Sequence, residues 1–422
     1  MDVDLLVKNV IWKDKKAFLL VNQGTVVDLT FSLPRVNCKK EIDASGLVLL
    51  PSLIDAHVHL RDPGFEYKED ICSGLLAAVG GGFGLVMAMA NTKPVNDQAS
   101  VCEYMLEKAK TYYPLGPVLA PIGALTKDLA GQEMAALGEL AQAGCVAFSN
   151  DGLPVLDTEL FRRCVEYASD LGKVVIDHCE DPFLAKDGLV NEGKLSSFLG
   201  LKGIPSVAES LQVARDILLA GYLDIPIHLA HISCRESVEL IYFAKKKGIQ
   251  ITAETCPHYL WLTQDECAHY NTLAKVNPPL RTKDDTLALF QALREGIIDI
   301  LVTDHAPHAE FEKNVPFGEA PNGISGLDTA LSLSLKLLTK DFTWSDLVCL
   351  WGKRPAQIFN LAFSELAPGD NANFILVDPD YPWKVTKKTM LSKGKNNPWI
   401  GTTLEGKVMY HFLQGELVYS CR

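Results

Sequence analysis

Two histidines, His57 and His59, follow directly on an apolar run from Leu47 to Ile54. If that run is a β-strand, alternate side chains share a face, so Asp55, His57 and His59 point one way and Ala56, Val58 and Leu60 the other. Two imidazoles so placed can grip one metal ion through nitrogens at about 2.0–2.1 Å. A charged, glycine-containing turn follows at once, Arg61-Asp62-Pro63-Gly64, a setting in which core histidines seldom sit. The pair reads as one side of a metal site.

Imidazoles and carboxylates recur at the ends of other apolar runs. Cys145–Ser149 ends in Asn150-Asp151-Gly152, Val174–Asp177 in His178-Cys179-Glu180, Ile227–Ala230 in His231, and Ile300–Thr303 in Asp304-His305. Together they exceed what one tetrahedral zinc needs, which suggests two metals sharing a bridging hydroxide. Several have plainer readings when taken singly. Asn150-Asp151-Gly152 has the composition of a simple turn. His228 and His231 differ in strand parity, so one of them faces the site; His231 lies nearer the strand end, and His228 is assigned to packing. His258 reads as structural, and His305, opposite in parity to Asp304, as backing or core. Cys179 could bind zinc as a soft ligand. Asp304 has the best claim to a double role, because a carboxylate touching the metal can also take a proton from the bridging water and pass it on.

Elements of one kind must hold these residues in register. From residue 47 to about residue 330, apolar strands alternate with helix-like segments. The remaining strands are Leu85–Met89, Val118–Ile122 and Ile249–Ala253; the helices are Asp97–Thr111, Gly131–Ala143, Thr158–Leu171, Ser206–Leu219, Ser237–Lys247 and Asp284–Glu295. Eight strand–helix units have the rhythm of a (β/α)8 TIM barrel, whose active sites sit where the strands end. A doubly wound open sheet is the runner-up, weakened by the lack of a G-x-G-x-x-G after any strand. Gly80-Gly81-Gly82-Phe83-Gly84 precedes a strand and reads as a helix stop. Both ends of the chain are rich in short strands. The expected division is a small β-sandwich-like domain from residues 1–50 and 365–422, and a barrel from residues 51–364.

The chain of 422 residues is 48% hydrophobic, enough for a barrel plus a satellite domain. Its net charge of -12 argues against nucleic acid or a membrane surface as partner, and an anionic substrate would need local basic groups. Eleven scattered cysteines read as reduced thiols in a cytoplasm. No signal peptide and no membrane-length apolar run is visible.

With these residues assembled, the sequence resembles the cyclic amidohydrolases, and within them the dihydroorotases of the bacterial first class. The matching stretches are Asp55–Gly64 (Asp-x-His-x-His-Leu-Arg-Asp-Pro-Gly), Lys68-Glu69-Asp70, Asn91-Thr92-x-Pro94, Asp151-Gly152, Asp177–Glu180, His231-x-Ser233, Val276–Arg281, Thr303–His308 and Pro398-Trp399-x-Gly401. The resemblance implies two zinc ions held by His57, His59, Asp151, His178, His231 and Asp304, with Asp304 as general base and then acid. It implies that Arg61, Asn91, Asn277 and His308 hold the substrate, with backbone near Asn322 and Gly323. Arg61 and His308 would form the local basic pair that an anionic substrate needs. Hydantoinases and dihydropyrimidinases bridge their metals with a carboxylated lysine at the end of the fourth strand. Cys145–Gly152 contains no lysine, and Asp151 stands in that region. Ala90, Gly84 and Asn322 depart from the usual pattern of proline, threonine and an apolar residue, which bears on substrate affinity.

The expected activity is the reversible cyclisation of N-carbamoyl-L-aspartate to L-dihydroorotate in pyrimidine synthesis. The alternatives are another cyclic amidohydrolase, of allantoinase or hydantoinase type, or an inactive homologue serving as partner of aspartate carbamoyltransferase. A homodimer and association with that transferase are further expectations, and the stretch from Ala306 to Gly323 has the length of a lid.

Overall fold

The computed structural model describes residues 2–421. Eight parallel strands follow one another in space as they do in the chain: Leu53–Val58, Phe83–Ala88, Val118–Ala124, Ala147–Ser149, Val174–Asp177, Ile227–Leu229, Ile251–Thr255 and Ile300–Leu301. A parallel bridge between Val58 and His305 joins the last to the first, and His59 N–H donates to His305 O at 2.8 Å. The result is a (β/α)8 barrel with helices in the connections. Its strands are largely buried because both of their faces are covered.

The elements begin and stop for local reasons. Asp70 caps the helix Ile71–Gly81 by accepting from Ser73 N–H, and Gly82, at φ 94°, ends it. The stretch expected as one helix over Gly131–Ala143 is helical only over Leu137–Ala143. Gly131 sits at φ 68°, in the left-handed region, and Met134 pairs with Thr126 as a bridge, so the first half is spent on a turn.

The chain ends build a second sheet. Its strands run, in spatial order, Glu416–Ser420, Thr403–Leu413, Phe374–Lys384, Val48–Pro51, Asp2–Trp12, Lys15–Asn22 and Thr25–Thr30, with Asn37–Asp43 also pairing to Asp2–Trp12. Ile375 opposite Leu50 marks where the C-terminal part meets the N-terminal part. The barrel begins two residues after Val48–Pro51, at Leu53, so this sheet anchors the base of the strand that carries His57. Not all of the C-terminal segment is sheet. Asn396 reaches the barrel rim, donating to Ala306 O and Gly323 O at 2.9 Å each and accepting from His308 N–H at 2.8 Å. All eleven cysteines are free thiols. Among the described residues no helix is long and apolar enough to cross a membrane.

Candidate active site

His57, His59, Asp151, His178, His231 and Asp304 converge at the rim where the barrel strands end, all of them buried. Parity alone does not aim them. His231 and Asp304 lie past the regular strands, at φ 35° and 45°, and Arg61 is at φ 62°. Non-glycine residues rarely hold such angles, and backbone strain of this kind gathers where function fixes a side chain. The turn conformation swings His231 and Asp304 inward after strands of only three and two residues.

Two donor triplets result, His57–His59–Asp151 and Asp151–His178–His231, each with ligand atoms within 4.8 Å of one another. Asp151 belongs to both. Its Oδ1 lies 3.6 Å from His57 Nε2, 3.4 Å from His178 Nδ1 and 3.3 Å from His231 Nε2, while its Oδ2 lies 3.6 Å from His59 Nε2. Asp304 Oδ1 lies 3.1 Å from His59 Nε2 and 3.6 Å from His57 Nε2. A tetrahedral ion with ligands at about 2.0–2.1 Å separates them by roughly 3.3 Å, so these spacings are those of a coordination shell. Cys256, His258 and Asp304 form a further group of potential donors beside it.

The residues fit a cation on two further counts. His57 Nε2, which faces the Asp151 and Asp304 carboxylates, is buried and has no hydrogen-bond partner among the described residues. Nitrogens in that position cost free energy unless something else occupies them. The charges agree. Burial opposes an imidazolium at His57, yet the Glu254 and Asp151 carboxylates outweigh it and hold its pKa well above the ordinary value. His178 is raised to about 10 against the same burial, by Asp151 and Glu180. Burial opposes ionisation of Asp304 as well, but hydrogen bonding to His59 and the neighbouring imidazoles hold it at about 2. The cluster calls for positive charge, and the set of imidazole and carboxylate donors suits zinc.

Behind the rim stands a residue that the strand-end reading passed over. Glu254 is fully buried; its Oε1 lies 2.7 Å from His57 Nδ1 and its Oε2 3.0 Å from His228 Nε2. His231 N–H also donates to it at 3.2 Å. This carboxylate holds the Nδ1 proton of His57 and leaves Nε2 facing the cluster, an arrangement that raises ligand basicity. A glutamate inside the apolar strand Ile251–Thr255 was the available signal. His228 accordingly backs the site without joining it. Asp55, pushed up to about 7 by burial, accepts from Thr303 N–H and Oγ1–H and ties the first strand to the last. His305 packs against Glu69, 3.3 Å away. Cys179 groups instead with Asp177 and Asp216.

A cavity of about 250 Å³ opens over the cluster, lined among others by Arg61, Asn91, Asn277, His308, Asn322 and Gly323. That is room for one small ring. Arg61 is half-buried, its Nε donating to Pro307 O at 3.3 Å, and its terminal nitrogens have no protein partner among the described residues. Asn91 Oδ1 accepts from His59 Nδ1 at 2.8 Å, which leaves its amide N–H groups for the cavity. Asn277 Oδ1 is buried without a partner. Gly323 is required by close approach: a Cβ there would stand 2.5 Å from Ala306 O. His308 differs from expectation in its charge. Burial, with Arg61, Lys313 and Lys68 nearby, holds its pKa down to about 2, and its Nε2–H donates to Asn322 O at 2.8 Å. It lines the cavity as a neutral ring, so it is not half of a basic pair.

Barrel and rim together define an amidohydrolase architecture. The chain overlays L-hydantoinase (dihydropyrimidinase) from Arthrobacter aurescens with a TM-score of 0.86, at 24% identity, over 99% of this chain and 96% of that one. It overlays dihydropyrimidinase from Brevibacillus agri with a TM-score of 0.79, at 22% identity, over 99% and 94%. At such identities the likeness speaks for the fold. Residues 46–237 match the dihydro-orotase-like family. Dihydroorotase of Trichlorobacter lovleyi is 45% identical over 405 residues, covering 96% of this chain and 95% of the relative. That of Acetivibrio thermocellus is 45% identical over 402 residues, covering 95% and 94%. The chain belongs to the dihydroorotase family.

Proposed function

We propose that this chain is a two-zinc dihydroorotase of the bacterial first class, interconverting N-carbamoyl-L-aspartate and L-dihydroorotate. The observation that carries this reading is Asp151, whose two oxygens face different histidines of the two triplets. His57, His59, Asp151, His178, His231 and Asp304 would hold the metal. When bound, it supplies an acidified water, with a pKa of about 7, and a polarised ring carbonyl.

The chain's own groups do the rest. Arg61 offers a planar fork to the substrate carboxylate, two residues from His59, and so sets the ring beside the cluster. Asn91, Asn277 and the backbone around Asn322 and Gly323 meet the polar edges of the ring. His308, neutral, holds that backbone in place. Asp304 is ionised at neutral pH, takes the proton lost by the attacking water and returns it to the departing ring nitrogen. In the cyclisation direction the same carboxylate works in reverse.

The test presents zinc-loaded protein with L-dihydroorotate, allantoin, hydantoin and dihydrouracil. Turnover of L-dihydroorotate is expected. Turnover of another ring with none of L-dihydroorotate reassigns the substrate, and a protein that takes up no zinc and turns over none of the rings supports the scaffold alternative.

We further infer a homodimer, from the helix Val207–Leu223. Its exposed side chains Val207, Leu211, Leu218 and Tyr222 are all apolar and lie four, seven and four residues apart. A two-fold axis would set this apolar stripe against its own copy as an antiparallel helix pair. Sedimentation should find a dimer that Leu218→Asp splits; an undiminished dimer removes this helix from the interface. Association with aspartate carbamoyltransferase, and the division into a barrel of residues 51–364 and a composite terminal domain, rest on the resemblance and the sheet pattern.

A further inference from the structure

Two lysines lie buried against the loop from Ala306 to Gly323. Lys275 is 4% exposed and Lys313 5%. The Nζ of Lys275 donates to Phe317 O at 2.8 Å, Gly318 O at 3.4 Å and Ala320 O at 2.7 Å. The Nζ of Lys313 donates to Thr272 O at 3.0 Å, Lys275 O at 3.4 Å and Pro321 O at 2.7 Å. Neither forms an ion pair within 4.0 Å of a carboxylate among the described residues. A buried ammonium ordinarily keeps a carboxylate beside it, because desolvating an unpaired charge is costly. Here carbonyl dipoles take that place; burial lowers the pKa of Lys275 and holds that of Lys313 down to about 7, so the charge each carries when protonated has no counter-ion beside it.

Their position gives the arrangement a use. Lys275 lies two residues before Asn277, and its carbonyl accepts from Gly323 N–H at 2.9 Å. The carbonyl held by Lys313 belongs to Pro321, next to Asn322. The two lysines thus join the segment carrying Asn277 to the loop carrying His308, Asn322 and Gly323, all four of which line the cavity. Among the residues lining it, Arg61 is the one arginine or lysine, and His308 is neutral. The whole chain carries a net charge of -12.

We infer that Lys275 and Lys313 are positioning and specificity residues for an anionic ring substrate. They fasten the loop against the cavity, and their uncompensated charge behind its wall offsets the acidic background for the substrate carboxylate. This rests on the proposed reading that the substrate is an anionic ring. It goes beyond that reading in assigning affinity to two groups that touch neither substrate nor metal. At low dielectric such charges act over several ångströms, and salt screens them only weakly.

The test compares wild type with Lys275→Met, Lys313→Met, Lys275→Gln and Lys313→Gln, each checked for zinc content and thermal unfolding. L-Dihydroorotate is the probe. Both Gln variants keep N–H donors and lose the charge; assayed near pH 6, where Lys313 is protonated, their KM should rise at least tenfold, with kcat within about threefold of wild type. The Met variants lose the donors as well, and chymotrypsin should cut them faster at Phe311, which lies in the loop and is 67% exposed. Folded Gln variants with unchanged KM overturn the proposal, as does a loss confined to kcat. Should the variants fail to fold, wild type still decides: because buried charges are screened only weakly, its KM for L-dihydroorotate should stay within about threefold as ionic strength rises, and a steep rise, which places the attraction on exposed charges, overturns the proposal. If wild type leaves L-dihydroorotate untouched, the functional reading fails, and the chymotrypsin comparison still judges the fastening of the loop.

Discussion

His57 and His411 are both fully buried, one at the barrel rim and the other in the seam between the terminal sheet and the barrel. Their surroundings differ in one respect. His411 donates from Nδ1 to Val79 O at 2.9 Å and accepts at Nε2 from Ser52 Oγ at 2.7 Å, so both nitrogens are used. Burial then holds its pKa down to about 4 and the ring is neutral. His57 has a carboxylate behind Nδ1 and nothing of the protein on Nε2. Burial of a histidine therefore says little. An unanswered nitrogen facing other unanswered donors, with a carboxylate behind the ring, separates a ligand from a strut.

The contrast can be broken at several points. Asp304→Asn carries the largest expected effect. The variant should fold and keep metal, yet kcat for L-dihydroorotate should fall by about 10²–10⁴-fold, the range of a lost general acid–base group. Near-normal turnover would remove Asp304 from the proton path. Glu254→Gln comes next. The His57 ring loses its anionic support, so zinc affinity, measured by competition with a chelator, should fall about 10–100-fold. Unchanged affinity would make Glu254 a packing residue like those around His411.

The same two regions mark what the sequence discloses. The histidines and carboxylates at strand ends can be read there because the barrel topology puts every strand end on one rim. Glu254 cannot be paired with His57 from the sequence, since 197 residues separate them. Asn396 likewise meets His308 across 88 residues, from a segment that reads only as tail. Parity says that one of His228 and His231 faces the site and nearness to the strand end selects His231, but positive φ angles after short strands aim His231 and Asp304. The helix over Gly131–Ala143 is overdrawn because periodicity does not register a glycine committed to a left-handed turn. His308 counts as basic in the sequence, and only the fold places three cations around it.

The smaller effects belong to the seam. His411→Gln should cost about 1–3 kcal/mol of stability through unmet hydrogen bonds and leave zinc affinity unchanged. A fall in affinity would join the two regions that the contrast keeps apart. The pH dependence follows from the neutral ring. With a folded pKa of about 4 against an ordinary 6.5, the unfolded chain binds the proton first. The contribution of His411 is therefore complete above about pH 6.5 and is lost as pH falls towards 4, up to about 3 kcal/mol. Urea titrations across that window should show wild type losing stability more steeply than His411→Gln. Parallel slopes would mean that His411 is already protonated in the fold.

In the proposed reading, His57, His59, Asp151, His178, His231 and Asp304 would hold two zinc ions. Zinc bound per chain, measured after dialysis of the metal-free protein against micromolar zinc at neutral pH, tests it most directly. Two zinc ions per chain are expected, and a chain that binds none contradicts the account.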